Sequence, residues 1–145
     1  MKTTLKFILC ILGAMAISAQ SKAQSGVSST AQHLIDSLKI TDPDEVAICK
    51  LYDDAVTTSL AQYKQYMSGG AKPTQAQTQA INKHFQEAEK EIKPKVESFR
   101  KKAASNYQVL MNFTQFVQIE TMKVYGAIYP NMRGAYPGYP APANH

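Results

Sequence analysis

The sequence contains no tryptophan, and its aromatic residues are eight tyrosines and five phenylalanines. A core built from this composition is modest and largely aliphatic. Strict alternation of apolar and polar residues, the pattern of a half-buried strand, is not found along the chain. At 145 residues the chain has room for one domain.

The side chains needed for catalysis or metal binding are few and scattered. His33, His84 and His145 are far apart in the sequence, and no His, Cys, Asp or Glu cluster has the spacing of a zinc or iron site. Gly69-Gly70 lacks the preceding strand and the spaced glycines of a phosphate-binding loop. We therefore predict no metal site, no cofactor and no enzymatic activity. The alternative is an enzyme in which Cys49 acts as nucleophile and His84 as its base.

The first 23 residues have the pattern of a secretory signal peptide. Lys2 and Lys6 form the positive region, an apolar run continues to Ile17, and small residues allow cleavage after Ala19 or Ala23. The apolar run is shorter than the roughly 20 residues that a spanning helix needs. We therefore expect export to the periplasm or the extracellular space, and no integral membrane span in the mature chain.

Removal of this leader changes the charge balance. It takes three of the 16 basic residues and none of the 11 acidic ones, so the net charge falls from +5 to +2. This gives little support for nucleic-acid binding, and we expect no nucleic-acid partner. Residues 24–63 carry a net charge of −4 and residues 64–102 a net charge of +5. These two segments are complementary if they lie side by side.

Two helices are predicted in the first half of the mature chain. Thr30 is placed as the N-cap of a short helix that ends near Ile40. Asp42 and Glu45 then resemble a capping box around Pro43, so a second helix should begin there. Its apolar stripe follows steps of three and four residues and contains Cys49, Tyr52, Val56, Leu60, Tyr63 and Met67. Cys49, the only cysteine left after cleavage, should be buried, the alternative being a disulfide between chains.

The second half predicts a longer helical segment. Gly69-Gly70 and Pro73 end the preceding helix, and Thr74 with Gln77 forms a second capping box. Apolar residues at helical spacing continue to Leu110, and Pro94 predicts a kink or break near Lys93. A wide apolar stretch from 110 to 124 should be the most buried helical segment.

These patterns together predict an all-α protein, either an antiparallel helical hairpin or a small bundle of three to four helices. Residues 24–29 are expected to be a flexible lead-in, 30–126 the helical domain and 127–145 a disordered tail. The tail is rich in Pro, Tyr and Gly. An alternative function for it is a ligand segment that presents Tyr136 and Tyr139 to a partner's groove.

Charged residues are interpreted mainly as solvated faces. Asp53 and Asp54 are adjacent, hence about 100° apart on a helix, and cannot share a proton as a catalytic pair would. The basic run after Lys83 is interrupted by acids that should pair along the helix. The expected pairs are Glu89–Lys93, Glu91–Lys95 and Glu97–Lys101. An acidic partner would instead contact Arg100, Lys101 and Lys102.

Two short segments resemble the L-T-x-x-Q motif of the Spy/CpxP-like periplasmic chaperones. These are Leu38–Glu45 and Phe113–Gln118, although Ile40 or Phe113 stands where the family has Leu, and the acid or amide follows Thr by four residues instead of three. The resemblance implies a concave helical surface that holds partly unfolded clients, as a homodimer. Small amphipathic chains also bury leftover apolar surface against a second copy.

The expected function is therefore an exported, non-enzymatic helical protein that binds other proteins in the cell envelope, as a holdase-like chaperone or as a component of an assembly. The alternative is a small hydrophobic-ligand binder with a pocket between the helices. That pocket would be lined by Phe85, Phe99, Phe113 and Phe116.

Overall fold

A computed structural model describes residues 26–130, and these form a small all-α bundle. The helices are α1 (Ser29–Ser37), α2 (Pro43–Met67), α3 (Gln75–Lys102) and α4 (Tyr107–Ile128). The predicted fold class is thereby confirmed. The predicted signal peptide at 1–23 and the tail tyrosines Tyr136 and Tyr139 lie outside the described residues.

The starts of α2 and α3 follow the capping signals in the sequence. Asp42 accepts hydrogen bonds from the backbone N–H groups of Asp44 and Glu45, at 2.8 and 3.2 Å. Thr74 and Gln77 form the complete reciprocal capping box. At the end of α2, Gly70 has a φ of 76°, a left-handed conformation that glycine adopts without the steric cost of a Cβ. Local capping thus fixes the α2–α3 connection.

The start of α1 differs from the prediction. Ser28, not Thr30, is the N-cap, and its hydroxyl accepts a hydrogen bond from the N–H of Ala31 at 3.2 Å. Ser28 also donates from its N–H and its hydroxyl to the two carboxylate oxygens of Asp53, at 2.6 and 2.7 Å. Val27 also packs against the core. These contacts of Val27 and Ser28 anchor the end of the segment that was expected to be a flexible lead-in.

The long helix predicted to reach Leu110 is wrong. Helix α3 ends at Lys102, and α4 begins after Asn106, whose side chain accepts a hydrogen bond from the N–H of Val109 at 3.2 Å. Asparagine favours this N-cap position over a helix interior because its side chain can bond the free N–H groups of the first turn. Of the kink or break predicted near Pro94, the break is not found, since α3 continues through this residue.

Helix α2 is the central element of the bundle. It packs extensively against both α3 and α4, whereas α3 and α4 contact each other much less, and α1 lies against α2 and α4. The start of α2 lies near the end of α3, so these two helices are antiparallel. Asn112 of α4 donates to the carbonyl oxygen of Leu38 at 2.8 Å and fixes α4 to the turn after α1. The core residues of the helices are Ala31, Ile35, Ile48, Cys49, Tyr52, Ala55, Val56, Ile81, Phe85, Ile92, Val96, Phe99, Phe113, Phe116, Val124 and Ile128.

The predicted tail boundary at 127 lies too early. Helix α4 continues to Ile128, which is buried, and Tyr129 stacks on Tyr125 with ring centroids 6.4 Å apart. The apolar side chains of this last turn pack on the core before the proline-rich segment begins. The helical domain therefore extends at least to Tyr129.

Candidate functional site

The exposed face of α4 carries no charged residue along most of its length. From Ala103 to Ile119 the sequence contains 17 residues without Asp, Glu, Lys or Arg. Tyr107, Met111 and Ile119 are exposed by 74%, 45% and 37%, although all three are large and hydrophobic. Together with Gln115, they follow one another at intervals of four residues, so they share one side of the helix. We call these four residues the uncharged α4 face.

The opposite side of α4 explains why this face is left exposed. Phe113 and Phe116 are completely buried, and Phe113 packs on Phe99 of α3 with ring centroids 5.0 Å apart. These contacts fix the rotation of α4 about its axis. The side that carries Tyr107 and Met111 therefore faces outward, and a large apolar residue in water is the usual mark of a contact surface when several lie together.

A second surface is an open groove between α2 and α3. Its volume is about 370 Å³. We call it the α2–α3 groove, and its lining residues are Tyr52, Gln86, Glu89, Lys90, Lys93, Val96 and Arg100. Tyr52 and Val96 are buried and form an apolar floor, while three cations stand along its edge.

Two groups in the groove have raised pKa values. Burial raises the pKa of the Tyr52 hydroxyl; the nearby charge of Glu89 acts in the same direction and that of Arg100 in the opposite one. Burial also raises the pKa of the half-buried Glu89 carboxyl. The hydroxyl is therefore a neutral hydrogen-bond donor, and the groove has more positive than negative charge at its rim.

The structure separates the three predicted partner-contact residues at the end of α3. The ammonium group of Lys102 lies 2.6 Å from a carboxylate oxygen of Asp44 and 3.7 Å from one of Asp42. This pairing connects the acidic start of α2 to the basic end of α3, as the charge asymmetry predicts. Lys102 therefore forms ion pairs with α2. Arg100 lines the α2–α3 groove, and Lys101 is exposed on the same helix.

The ion pairs along α3 differ from those predicted. Lys83 pairs with Glu87 and Lys93 pairs with Glu97, each at 3.9 Å. Both pairs place the base before the acid, the weaker orientation on a helix, and both are exposed. Such pairs contribute little stability. Within the described residues, Lys90 and Arg100 have no ion-pair partner, so these two cations are available to an anion.

The interior contains acidic groups that the sequence analysis did not place there. Glu45, expected to complete a capping box, is only 2% exposed, and its Oε1 has no hydrogen-bond partner among the described residues. Burial, together with the charge of Asp42, raises the pKa of Glu45 from 4.5 to about 7. A carboxyl group in this position is held largely neutral below that pH because ionisation in a low-dielectric site is unfavourable.

Glu45, Asp53 and Glu120 form a group that we call the buried polar seam, because the charges of Glu45 and Glu120 both act on Cys49 and that of Asp53 acts on Glu120. The interpretation of Asp53 as part of a solvated face is wrong, because it is 3% exposed and receives the two hydrogen bonds from Ser28. Glu120 is fully buried and pairs with Lys123, while its Oε2 has no partner in the described part of the chain. Burial raises the pKa of Glu120, against the opposing effect of Lys123.

Cys49 is fully buried, as predicted. Burial raises the pKa of its thiol, and the charges of Glu45 and Glu120 act in the same direction. A buried, protonated thiol is a poor nucleophile. His84 lies on an exposed position of α3 and His33 on an exposed position of α1. The packing thus gives Cys49 the role of a core residue.

The four phenylalanines proposed to line a ligand pocket fill the core. Phe85, Phe99, Phe113 and Phe116 are buried. Phe85 also makes an edge-to-face contact with Tyr125, with ring centroids 5.9 Å apart. A hydrophobic ligand could reach these rings only if the helices moved apart.

Within residues 26–130, no three or more His, Cys, Asp or Glu side chains are placed so that they could hold a metal ion. No helix in this range combines the length and the hydrophobicity needed to span a membrane.

The sequence analysis missed both the uncharged α4 face and the α2–α3 groove. The first had a readable signal, the charge-free run from 103 to 119. The groove had none, because Tyr52 and Val96 are far apart in sequence and come together only when α2 and α3 pack.

Comparisons with known proteins give this chain no relative. No family model matches the sequence, no curated protein is significantly similar to it, and no solved structure is significantly similar to its fold.

Proposed function

We propose that this is an exported, non-enzymatic helical protein that binds other proteins, and that the uncharged α4 face is its contact surface. The observation that carries the proposal is the exposure of Tyr107, Met111 and Ile119 on one charge-free side of a helix. Aromatic residues and methionine are enriched at protein interfaces, and charged residues are depleted from interface centres. The secretory pattern of the first 23 residues supports a location in the cell envelope or outside the cell.

A holdase is the form of this function that we favour. A partly unfolded client exposes apolar segments, and a face without charges accepts many such segments because it imposes no pattern of opposite charges. Methionine adapts its shape to different apolar partners. The resemblance to the Spy/CpxP-like chaperones supports the same function. Association of two copies through this face, or entry into a fixed assembly, is the alternative use of the same surface.

The alternative of a small hydrophobic ligand receives less support. It needs space between the helices near Phe85 and Phe113, and both rings are completely buried. The open α2–α3 groove is bordered mainly by charged and polar side chains, which do not suit an aliphatic ligand.

Light scattering of a thermally aggregating test protein measures holdase activity directly. The purified protein should suppress the scattering at stoichiometric ratio. The double variant Met111→Lys/Ile119→Lys should lose most of this effect, because each lysine places a charge at the centre of the contact. The control Thr57→Lys/Gln65→Lys adds the same charges, at the same spacing of eight residues, to exposed positions of α2.

The control should suppress aggregation as the wild-type protein does, and circular dichroism should show that both variants remain helical. No suppression by the wild-type protein at stoichiometric ratio would contradict the holdase proposal. Equal loss in the two double variants would contradict the assignment to the uncharged α4 face.

A further inference from the structure

We propose that the α2–α3 groove binds an acidic segment of a protein partner in an extended conformation. The inference rests on the proposed function in taking another protein as the partner, but it concerns a surface separate from the uncharged α4 face. Its chemistry is also different, since cations border this groove whereas the α4 face has none.

The shape of the groove favours an elongated ligand over a compact ion. Its lining on α3 extends from Gln86 to Arg100. At 1.5 Å per residue these positions span about 21 Å along the helix axis. An extended chain advances about 3.3 Å per residue, so the groove matches a segment of about six residues. Lys90, Lys93 and Arg100 are distributed along this length and do not converge on one point.

The chemistry of the lining matches alternating acidic and apolar side chains. Lys90 and Arg100 lack an ion pair in the described part of the chain, and the partner of Lys93 is an exposed one at 3.9 Å. An arginine can hold a carboxylate through two parallel hydrogen bonds. Between the cations, Tyr52 and Val96 offer apolar surface, and the Tyr52 hydroxyl can donate a further hydrogen bond.

A long polyanion such as a nucleic acid fits this surface less well. Glu87, Glu91 and Glu97 are exposed on α3 among the lysines, and Glu89 lies in the groove itself. These acids would repel a backbone with a charge at every residue. A short segment with a few carboxylates can instead place each one beside a cation.

Fluorescence anisotropy with a labelled hexapeptide of alternating Glu and Leu tests the inference on the intact, purified protein. Binding should be saturable and should weaken as salt is added. The double variant Lys90→Gln/Arg100→Gln should bind the peptide about tenfold more weakly or worse, since it loses two charge-assisted hydrogen bonds. The control Lys64→Gln/Lys72→Gln removes the same charge from exposed positions outside the groove and should change the affinity by less than about twofold.

Two further probes define the partner class. A hexapeptide of alternating Lys and Leu should not bind, and a single-stranded hexanucleotide should bind at least tenfold more weakly than the acidic peptide. The inference is overturned by any of four results: no saturable binding, equal loss in the two double variants, equal binding of the basic peptide, or tighter binding of the oligonucleotide. None of these results depends on the aggregation assay. Failure of the groove to bind the acidic peptide can therefore be told apart from failure of the protein to act as a holdase.

Discussion

Glu45 offers the sharpest test of the buried polar seam, because its ionisation is linked to folding. In the folded protein, burial and the charge of Asp42 raise the pKa of this carboxyl to about 7. In the unfolded chain its pKa is the ordinary value of 4.5. Between these two pH values the folded state binds more protons than the unfolded state, so the free energy of unfolding falls as the pH rises. Above about pH 7 the carboxyl is ionised in both states, and the free energy of unfolding no longer falls through this group.

The expected magnitude follows from the raised pKa. One pKa unit corresponds to about 1.4 kcal/mol, so Glu45 should lower the free energy of unfolding by about 3 kcal/mol between pH 4.5 and pH 8. Burial raises the pKa values of Glu89 and Glu120 as well, so these groups act in the same direction. The lowered pKa of Asp42 and the raised pKa of Lys102 act below about pH 4 and above about pH 10, outside this range.

Urea unfolding at pH 5 and pH 8 measures the effect. The wild-type protein should be less stable at pH 8, and Glu45→Gln, which stays neutral, should lose less stability over this interval by about 2.5 kcal/mol. Glu91→Gln, at an exposed position of α3, is the matched control and should keep the wild-type pH dependence. The reasoning is refuted if Glu45→Gln shows the same decrease as the wild-type protein, or if the control flattens the profile equally.

Three further predictions concern the anchoring of α1, the thiol and a strained turn. Asp53→Ala should lower the free energy of unfolding by about 3 kcal/mol, because Ser28 loses two hydrogen bonds to a charged group. The variant should also exchange the amide hydrogens of α1 faster, and unchanged exchange there would contradict the anchoring of α1 by Asp53. Cys49 should react with a thiol reagent only at the rate of unfolding, and rapid labelling of the native protein would show that it is not buried. Lys39 is exposed and has a φ of 53°, a left-handed conformation that glycine adopts more readily than other residues. Lys39→Gly should therefore raise the free energy of unfolding, measured with heat or urea, by about 0.5 to 1 kcal/mol, whereas Lys39→Ala should not raise it.

Local signals made much of the fold predictable from the sequence. The capping side chains of Asp42 and Thr74 bond backbone groups no more than three residues away, so the sequence alone shows them. The apolar residues along α3 also follow a regular helical spacing. The break between α3 and α4 was missed because the apolar spacing continues across it, and Ser105-Asn106 is too short a signal to outweigh that pattern. The position of the break became clear only from the hydrogen bond of Asn106.

Burial of charged residues could not be predicted in the same way. Glu45 and Asp53 stand four residues before and four residues after Cys49, so helical spacing puts both on the side of the apolar stripe. Their carboxylates are nevertheless a residue type that is rarely buried, and residue type favours exposure over the spacing. Lys102 and Arg100 are two residues apart, yet one pairs with α2 and the other lines the groove. The sequence shows that both are basic, but the direction of each side chain depends on where α2 lies.

Site-specific photo-crosslinking tests the central claim, contact through the uncharged α4 face, most directly. A photoreactive residue at position 111, and in a second sample at position 57, is irradiated with a permanently unfolded test client and with the same client in its folded form. We predict crosslinks to the unfolded client from position 111 and not from position 57. Equal crosslinking from the two positions, or equal crosslinking of folded and unfolded client at position 111, would contradict the account.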